Sequence, residues 1–144
     1  MERTKEVKIE SIDELIAAAK RVRANAYAPY SHFQVGAALL GSDGRIYTGC
    51  NVENASYGLS VCAERTAVFQ AVSQGLTSFQ ALALVADSEE PVSPCGACRQ
   101  ILAEFSPEMP VLMVNLKGKI VRSTVEKLLP SSFTFKKCEE EKVK

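Results

Sequence analysis

This chain has no excess of either charge. Seventeen Lys and Arg stand against seventeen Asp and Glu, for a formal net charge of zero. That balance argues against a protein that grips nucleic-acid phosphates over a broad basic face. Long apolar runs are missing too. None approaches the ~20 residues needed to span a bilayer, so no membrane segment is expected. The opening Met1-Glu2-Arg3-Thr4-Lys5-Glu6 is polar and charged, with no apolar signal core behind it, which points to the cytosol. Histidine is nearly absent: His32 stands alone. Low-complexity segments, long linkers and internal repeats are lacking. What remains is 144 residues, 47% hydrophobic and 24% charged, an ordinary globular composition and a length that fits one domain over 1–144.

Five cysteines are present: Cys50, Cys62, Cys95, Cys98 and Cys138. The count is odd and no signal core precedes them, so a disulfide framework is not expected. Reduced thiols in a close pair more often bind metal or do redox chemistry.

Ser11 and Glu14 form a potential capping box. Behind it Ile12, Leu15, Ile16, Ala19 and Val22 recur at helical spacing, which predicts a helix from about Ile12 to Ala26 ending ahead of Pro29. Phe33 to Leu40 and Arg45 to Val52 read as strands joined by the turn Ser42-Asp43-Gly44. A second helix is expected from Cys62 to Ser73, with Gly75 closing it. Phe79 to Ala86 is apolar almost throughout, as suits a strand covered on both faces. A third helix spans about Cys95 to Glu104. Val111 to Leu116 and Lys119 to Ser123 pair around Lys117-Gly118. Ser123 with Glu126 caps a last short helix that Pro130 ends. The order α-β-β-α-β-α-β-β-α, with right-handed crossovers, predicts an α/β fold: a three-layer α-β-α sandwich around a mixed five-stranded sheet. The tail at about 136–144 is expected to fray.

Two segments carry the chemistry: Cys62-Ala63-Glu64 and Pro94-Cys95-Gly96-Ala97-Cys98. Cys95 and Cys98 lie three apart at a helix start, within one turn on one face. They supply half of a tetrahedral zinc shell. If the start of the Cys62 helix abuts them, three sulfurs converge. Both helix N-termini carry partial positive charge, which favours thiolates. Three thiolates with Zn²⁺ leave one excess negative charge, and Arg65, on the same helical face as Cys62, could offset it by bonding to sulfur. A catalytic zinc keeps three protein ligands and an open fourth position. Glu64 is then placed to shuttle protons. Other readings stay open on these residues alone: a redox pair, a structural zinc completed by Cys50, Cys138 or His32, or a solvated Glu64 with no role.

Taken together, the segments resemble the cytidine deaminase family, in its small cysteine-ligated branch. The resemblance runs through Tyr30-Ser31-His32-Phe33, Gly49-Cys50-Asn51-Val52-Glu53-Asn54-Ala55, Cys62-Ala63-Glu64-Arg65-Thr66-Ala67, Ser93-Pro94-Cys95-Gly96-Ala97-Cys98-Arg99-Gln100 and Leu128-Leu129-Pro130-Ser131-Ser132-Phe133. Its zinc signature, Pro-Cys-x-x-Cys preceded by a ligand two residues before Glu, carries Cys62 in place of histidine. The resemblance implies a hydrolytic deaminase with one zinc per subunit on Cys62, Cys95 and Cys98. Glu64 moves protons between water, the pyrimidine N3 and the departing amine. The Ala63 N–H binds the base carbonyl, Asn51 and Glu53 bind the ribose, and Phe33 packs against the base. An amide and a carboxylate two residues apart on a strand share a face and suit a sugar hydroxyl. The resemblance also implies a homotetramer in which Tyr57 and Phe133 complete a neighbour's site. The expected substrate is a free nucleoside. An aminonucleoside of the blasticidin type, a polynucleotide, and a purely structural zinc module are the competing expectations.

Overall fold

A computed structural model describes residues 8–135; the expected frayed tail and Cys138 lie outside them. The chain runs α1 (Ile9–Arg23), β1 (Val35–Gly41), β2 (Ile46–Cys50), a short 3₁₀ turn (Tyr57–Leu59), α2 (Ala63–Ser73), β3 (Phe79–Ala86), α3 (Gly96–Phe105), β4 (Pro110–Asn115), β5 (Ile120–Thr124) and α4 (Val125–Leu128). One five-stranded sheet has the order β2-β1-β3-β4-β5. β3 and β4 are parallel; the other neighbours are antiparallel. The expected mixed sheet and three layers are therefore present.

The sheet's period of two sorts its core. Ala81, Ala83 and Val85 of β3 cluster with Leu15, Ile16, Ala18 and Ala19 of α1. Leu82 and Leu84 cluster with Ala67, Val68 and Ala71 of α2 and Leu102 of α3. α1 therefore covers one face and the two cysteine-bearing helices the other. Each fully buried leucine contributes about 2 kcal/mol of transfer free energy. Close approach needs glycine at two places. A Cβ on Gly36 would stand 2.0 Å from the Ala19 carbonyl oxygen, and one on Gly49 would stand 2.3 Å from the Ala67 nitrogen. Gly49 thus lets the first turn of α2 rest on β2. Among the described residues no helix is long and apolar enough to cross a membrane.

Several local expectations shift. α1 starts at Ile9, three residues early, so Ser11 lies inside it and the capping box is not its start. Nothing at Ile9 or Glu10 opposes helix, and apolar spacing does not mark an end. α1 stops at Arg23, well before Pro29. β2 stops at Cys50, which pairs with Gly36 at the beginning of β1. Asn51 and Glu53 therefore sit beyond the strand, on either side of Val52, which bridges Tyr27 and Val61. Thr124, not Ser123, caps α4: its side chain accepts the Lys127 N–H. Gly75, at φ 92°, closes α2 as expected, with its N–H on the Val72 carbonyl and that of Leu76 on Ala71.

Candidate functional site

Cys62 and Cys95 are the residues immediately before α2 and α3, each extended rather than helical. Their side chains are thus presented at two helix N-termini, where unpaired N–H groups favour anions. Cys98 follows in the first turn of α3 and is fully buried. The Sγ atoms of Cys62 and Cys95 are 3.8 Å apart, those of Cys95 and Cys98 3.4 Å, and all three lie within 4.8 Å of one another. Zn–S bonds of ~2.3 Å in a tetrahedron put sulfurs about 3.8 Å apart. The trio fits zinc on this measure. Among the described residues, neither Cys50 nor His32 joins the group. Cys50 ends β2 as a half-buried free thiol whose pKa burial raises. His32 sits on an exposed loop at φ 58°.

The charges are arranged for a bound cation. Hydrogen bonding from Cys98 holds the Cys62 thiol well below the usual range, against the opposing cost of burial, with Arg65 assisting. Cys98 is driven the other way, chiefly by its hydrogen bonding with Cys62 and then by burial. Arg65 donates from Nη2 to the Cys62 sulfur at 3.4 Å, the bond expected from its spacing. Its buried Nε has no hydrogen-bond partner among the described residues. A half-buried cation with a spare buried N–H beside the sulfurs suits the excess charge of a tris-thiolate zinc.

Glu64 is only 4% exposed. Burial, reinforced by the charge of Cys62, pushes its carboxyl up to about 7. It is thus a buried carboxyl beside the sulfur trio, not a solvated helix carboxylate. Ala63 opens α2, and its N–H has no intrahelical acceptor. Thr66 Oγ1 lies within hydrogen-bond distance of the Cys50 and Ala63 carbonyls, at 2.9 and 2.8 Å, and ties α2 to β2.

A second group gathers on the loop before β1. Asn51 accepts the Val35 N–H at Oδ1 and donates from Nδ2 to the Phe33 carbonyl, both at 2.8 Å. Glu53 Oε1 accepts the N–H of Tyr30 and Ser31, and Oε2 accepts the Ser31 hydroxyl. Those bonds hold the Glu53 carboxyl below its usual range, the Ser31 hydroxyl most of all. Phe33 is half-exposed on the same loop. Tyr57, 75% exposed, touches Tyr30 edge to face at 6.0 Å. Phe133, 58% exposed, packs edge to face on Phe135, and Gln100 clasps its backbone N–H and carbonyl. Arg99 turns away from the sulfurs, bonding the Pro94 and Leu128 carbonyls. Ser31 and Gln100 were within the matched segments, but no spacing rule marks either as a partner of Glu53 or Phe133.

The family model for the cytidine and deoxycytidylate deaminase zinc-binding region matches residues 9–114. A cytidine deaminase of Sporosarcina psychrophila is 60% identical over 124 residues, covering 85% of this chain and 91% of that protein. A blasticidin-S deaminase of Bacillus cereus is 34% identical over 108 residues, covering 69% and 76%. The crystal structure of a cytidine deaminase from Burkholderia pseudomallei superposes with a TM-score of 0.82 at 49% identity, covering 84% of this chain and 98% of that one. With the sulfur trio, the buried Glu64 and the mixed five-stranded sheet in place, the chain belongs to the cytidine and deoxycytidylate deaminase family.

Proposed function

We propose that this chain is a zinc-dependent hydrolase of pyrimidine salvage that converts cytidine and 2′-deoxycytidine to uridine and 2′-deoxyuridine with release of ammonia. The observation that carries the reading is Glu64, a buried carboxylate two residues from a thiolate of a three-sulfur cluster. The similar cytidine deaminases support the substrate.

Cys62, Cys95 and Cys98 hold the zinc, whose chemistry is to lower the pKa of water to roughly 7. Glu64 takes the proton released as water adds to C4 and gives it to the pyrimidine N3. Glu64 then takes the proton of the new C4 hydroxyl and gives it to the amine as the C4–N bond breaks, leaving the C4 carbonyl. Cytidine and water thus become uridine and ammonia. The Ala63 N–H anchors the base carbonyl, Phe33 packs on the base, and Asn51 and Glu53 hold the ribose through their remaining donor and acceptor positions. Arg65 balances the charge of the sulfur cluster.

The whole chain acts as one deaminase-type domain in the cytoplasm. Four copies assemble, and Tyr57 and Phe133 complete a neighbour's site. Their exposure supports this, because aromatic rings clustered in water are usually covered by a partner.

The test is a spectrophotometric assay of cytidine conversion with zinc measured in the same sample. Glu64→Gln is expected to keep zinc and fold and to lose at least about a hundredfold in kcat, the lower range for general acid–base catalysis. An unimpaired kcat would take the proton transfer away from Glu64, and no conversion by the zinc-loaded wild type would leave only a structural zinc module. Turnover of blasticidin S far above that of cytidine would overturn the nucleoside reading, which Asn51 and Glu53 favour. Activity confined to single-stranded polynucleotides and falling steeply with salt would overturn it too.

A further inference from the structure

Two side chains from the segment after β2 bond the loop that carries Phe33, and the Ser31 hydroxyl reaches one of them. Asn51 straddles the loop's end at Phe33 and Val35. Glu53 holds its beginning at Tyr30 and Ser31. Ser31 joins the two ends. Its hydroxyl donates to Glu53 Oε2, and its oxygen accepts the Phe33 N–H at 3.0 Å. Between them His32 holds φ 58°, a left-handed conformation that a non-glycine residue keeps only when neighbouring bonds impose it.

The count of acceptor positions gives this arrangement a consequence. A carboxylate offers about four lone-pair sites. Oε1 of Glu53 fills two with backbone N–H groups, and Oε2 gives one to Ser31. One position on Oε2 is left, and the Ser31 bond sets its direction. The only O–H of Ser31 is already used on the carboxylate, so Ser31 acts on a ligand through Glu53.

We propose that Ser31 is a positioning residue for sugar recognition: its hydroxyl orients the last acceptor position of Glu53 toward a ribose hydroxyl and fixes that position relative to the Phe33 backbone. The inference rests on the reading of a cytidine nucleoside as substrate with Glu53 on its sugar. It assigns to Ser31 a part in telling hydroxylated sugars from those lacking ring hydroxyls.

The experiment compares zinc-loaded wild type, Ser31→Ala and Ser31→Thr. It measures kcat and KM for cytidine and the inhibition constant of 2′,3′-dideoxycytidine, which has no hydroxyl to offer Glu53 at those positions. For Ser31→Ala, KM for cytidine is expected to rise roughly tenfold, the weight of one hydrogen bond to a charged group. Zinc content and kcat stay close to wild type, and dideoxycytidine inhibits as before. Ser31→Thr, which keeps the hydroxyl, restores KM. An unchanged KM in Ser31→Ala overturns the proposal. So does an equal weakening toward dideoxycytidine, which would mean a merely loosened loop, and so does a failed rescue by threonine. A wild type that leaves cytidine untouched overturns the substrate reading as well; an active wild type with an indifferent Ser31→Ala overturns this inference alone.

Discussion

Arg65 does two things at once that alanine cannot: it donates to the Cys62 sulfur and leaves a second buried N–H without a protein partner beside the cluster. Three thiolates and one Zn²⁺ carry a net negative charge in a partly desolvated place, where an uncompensated charge is costly. Arg65→Ala is therefore expected to release zinc to a chelator roughly tenfold or more faster than wild type, in the range found for outer partners of metal ligands. Competition with a chromogenic chelator measures it. Equal rates would assign the charge to the two helix N-termini alone. Replacing Cys62, Cys95 or Cys98 by serine is expected to abolish both zinc retention and deamination, read by metal analysis and the cytidine assay.

At the scale of elements, the site exists because α2 and α3 begin at the same place on one face of the sheet. Gly49 governs half of that. Its missing Cβ leaves room for the Ala63 carbonyl, which would be 2.6 Å from it, and for the Thr66 hydroxyl, at 2.3 Å. Gly49→Ala must push the start of α2 off β2, and Cys62 and Glu64 move with it. Gly36 makes the same allowance for α1 on the opposite face. Both substitutions are expected to destabilise by about 1–3 kcal/mol, the usual cost of overpacking, as read by urea denaturation. Only Gly49→Ala should also weaken zinc binding, as read by chelator competition. Equal zinc affinity in the two variants would show that the site tolerates a displaced α2.

At the scale of the molecule, Tyr57 and Phe133 touch the rest of their own chain through other aromatic rings and the Gln100 clasp. If each site takes Glu64 from one subunit and Phe133 from another, two inactive variants should complement. Glu64→Gln and Phe133→Ala subunits, coexpressed and purified as mixed assemblies, are expected to exceed the activity of either variant alone. Sedimentation should give four copies per particle. A monomer, or mixed assemblies no better than their parents, would place every working residue within one chain.

The sequence by itself determined the order of elements, because apolar periodicity reports which side of an element meets a core. β3 came out at Phe79–Ala86 as expected, since a strand buried on both faces is unmistakably apolar. The candidate zinc ligands were legible too: the Cys62-Ala63-Glu64 and Pro94 to Cys98 segments together carry a recognisable pattern, and their three sulfurs do lie together. The sequence did not locate ends. Ser11 looks like a cap but is the third residue of α1, because a capping pattern has no power when the preceding residues also favour helix. Asn51 and Glu53 read as strand residues, yet β2 ends at Cys50, and the Asn51 side chain takes the Val35 N–H that a continued strand would pair through its backbone. Folding brings their side chains to the loop before β1, sets the Ser31 hydroxyl on Glu53, and makes three sulfurs from two helices meet. Those contacts join residues distant along the chain, and a distance in space is set by packing, which no local pattern of residues encodes.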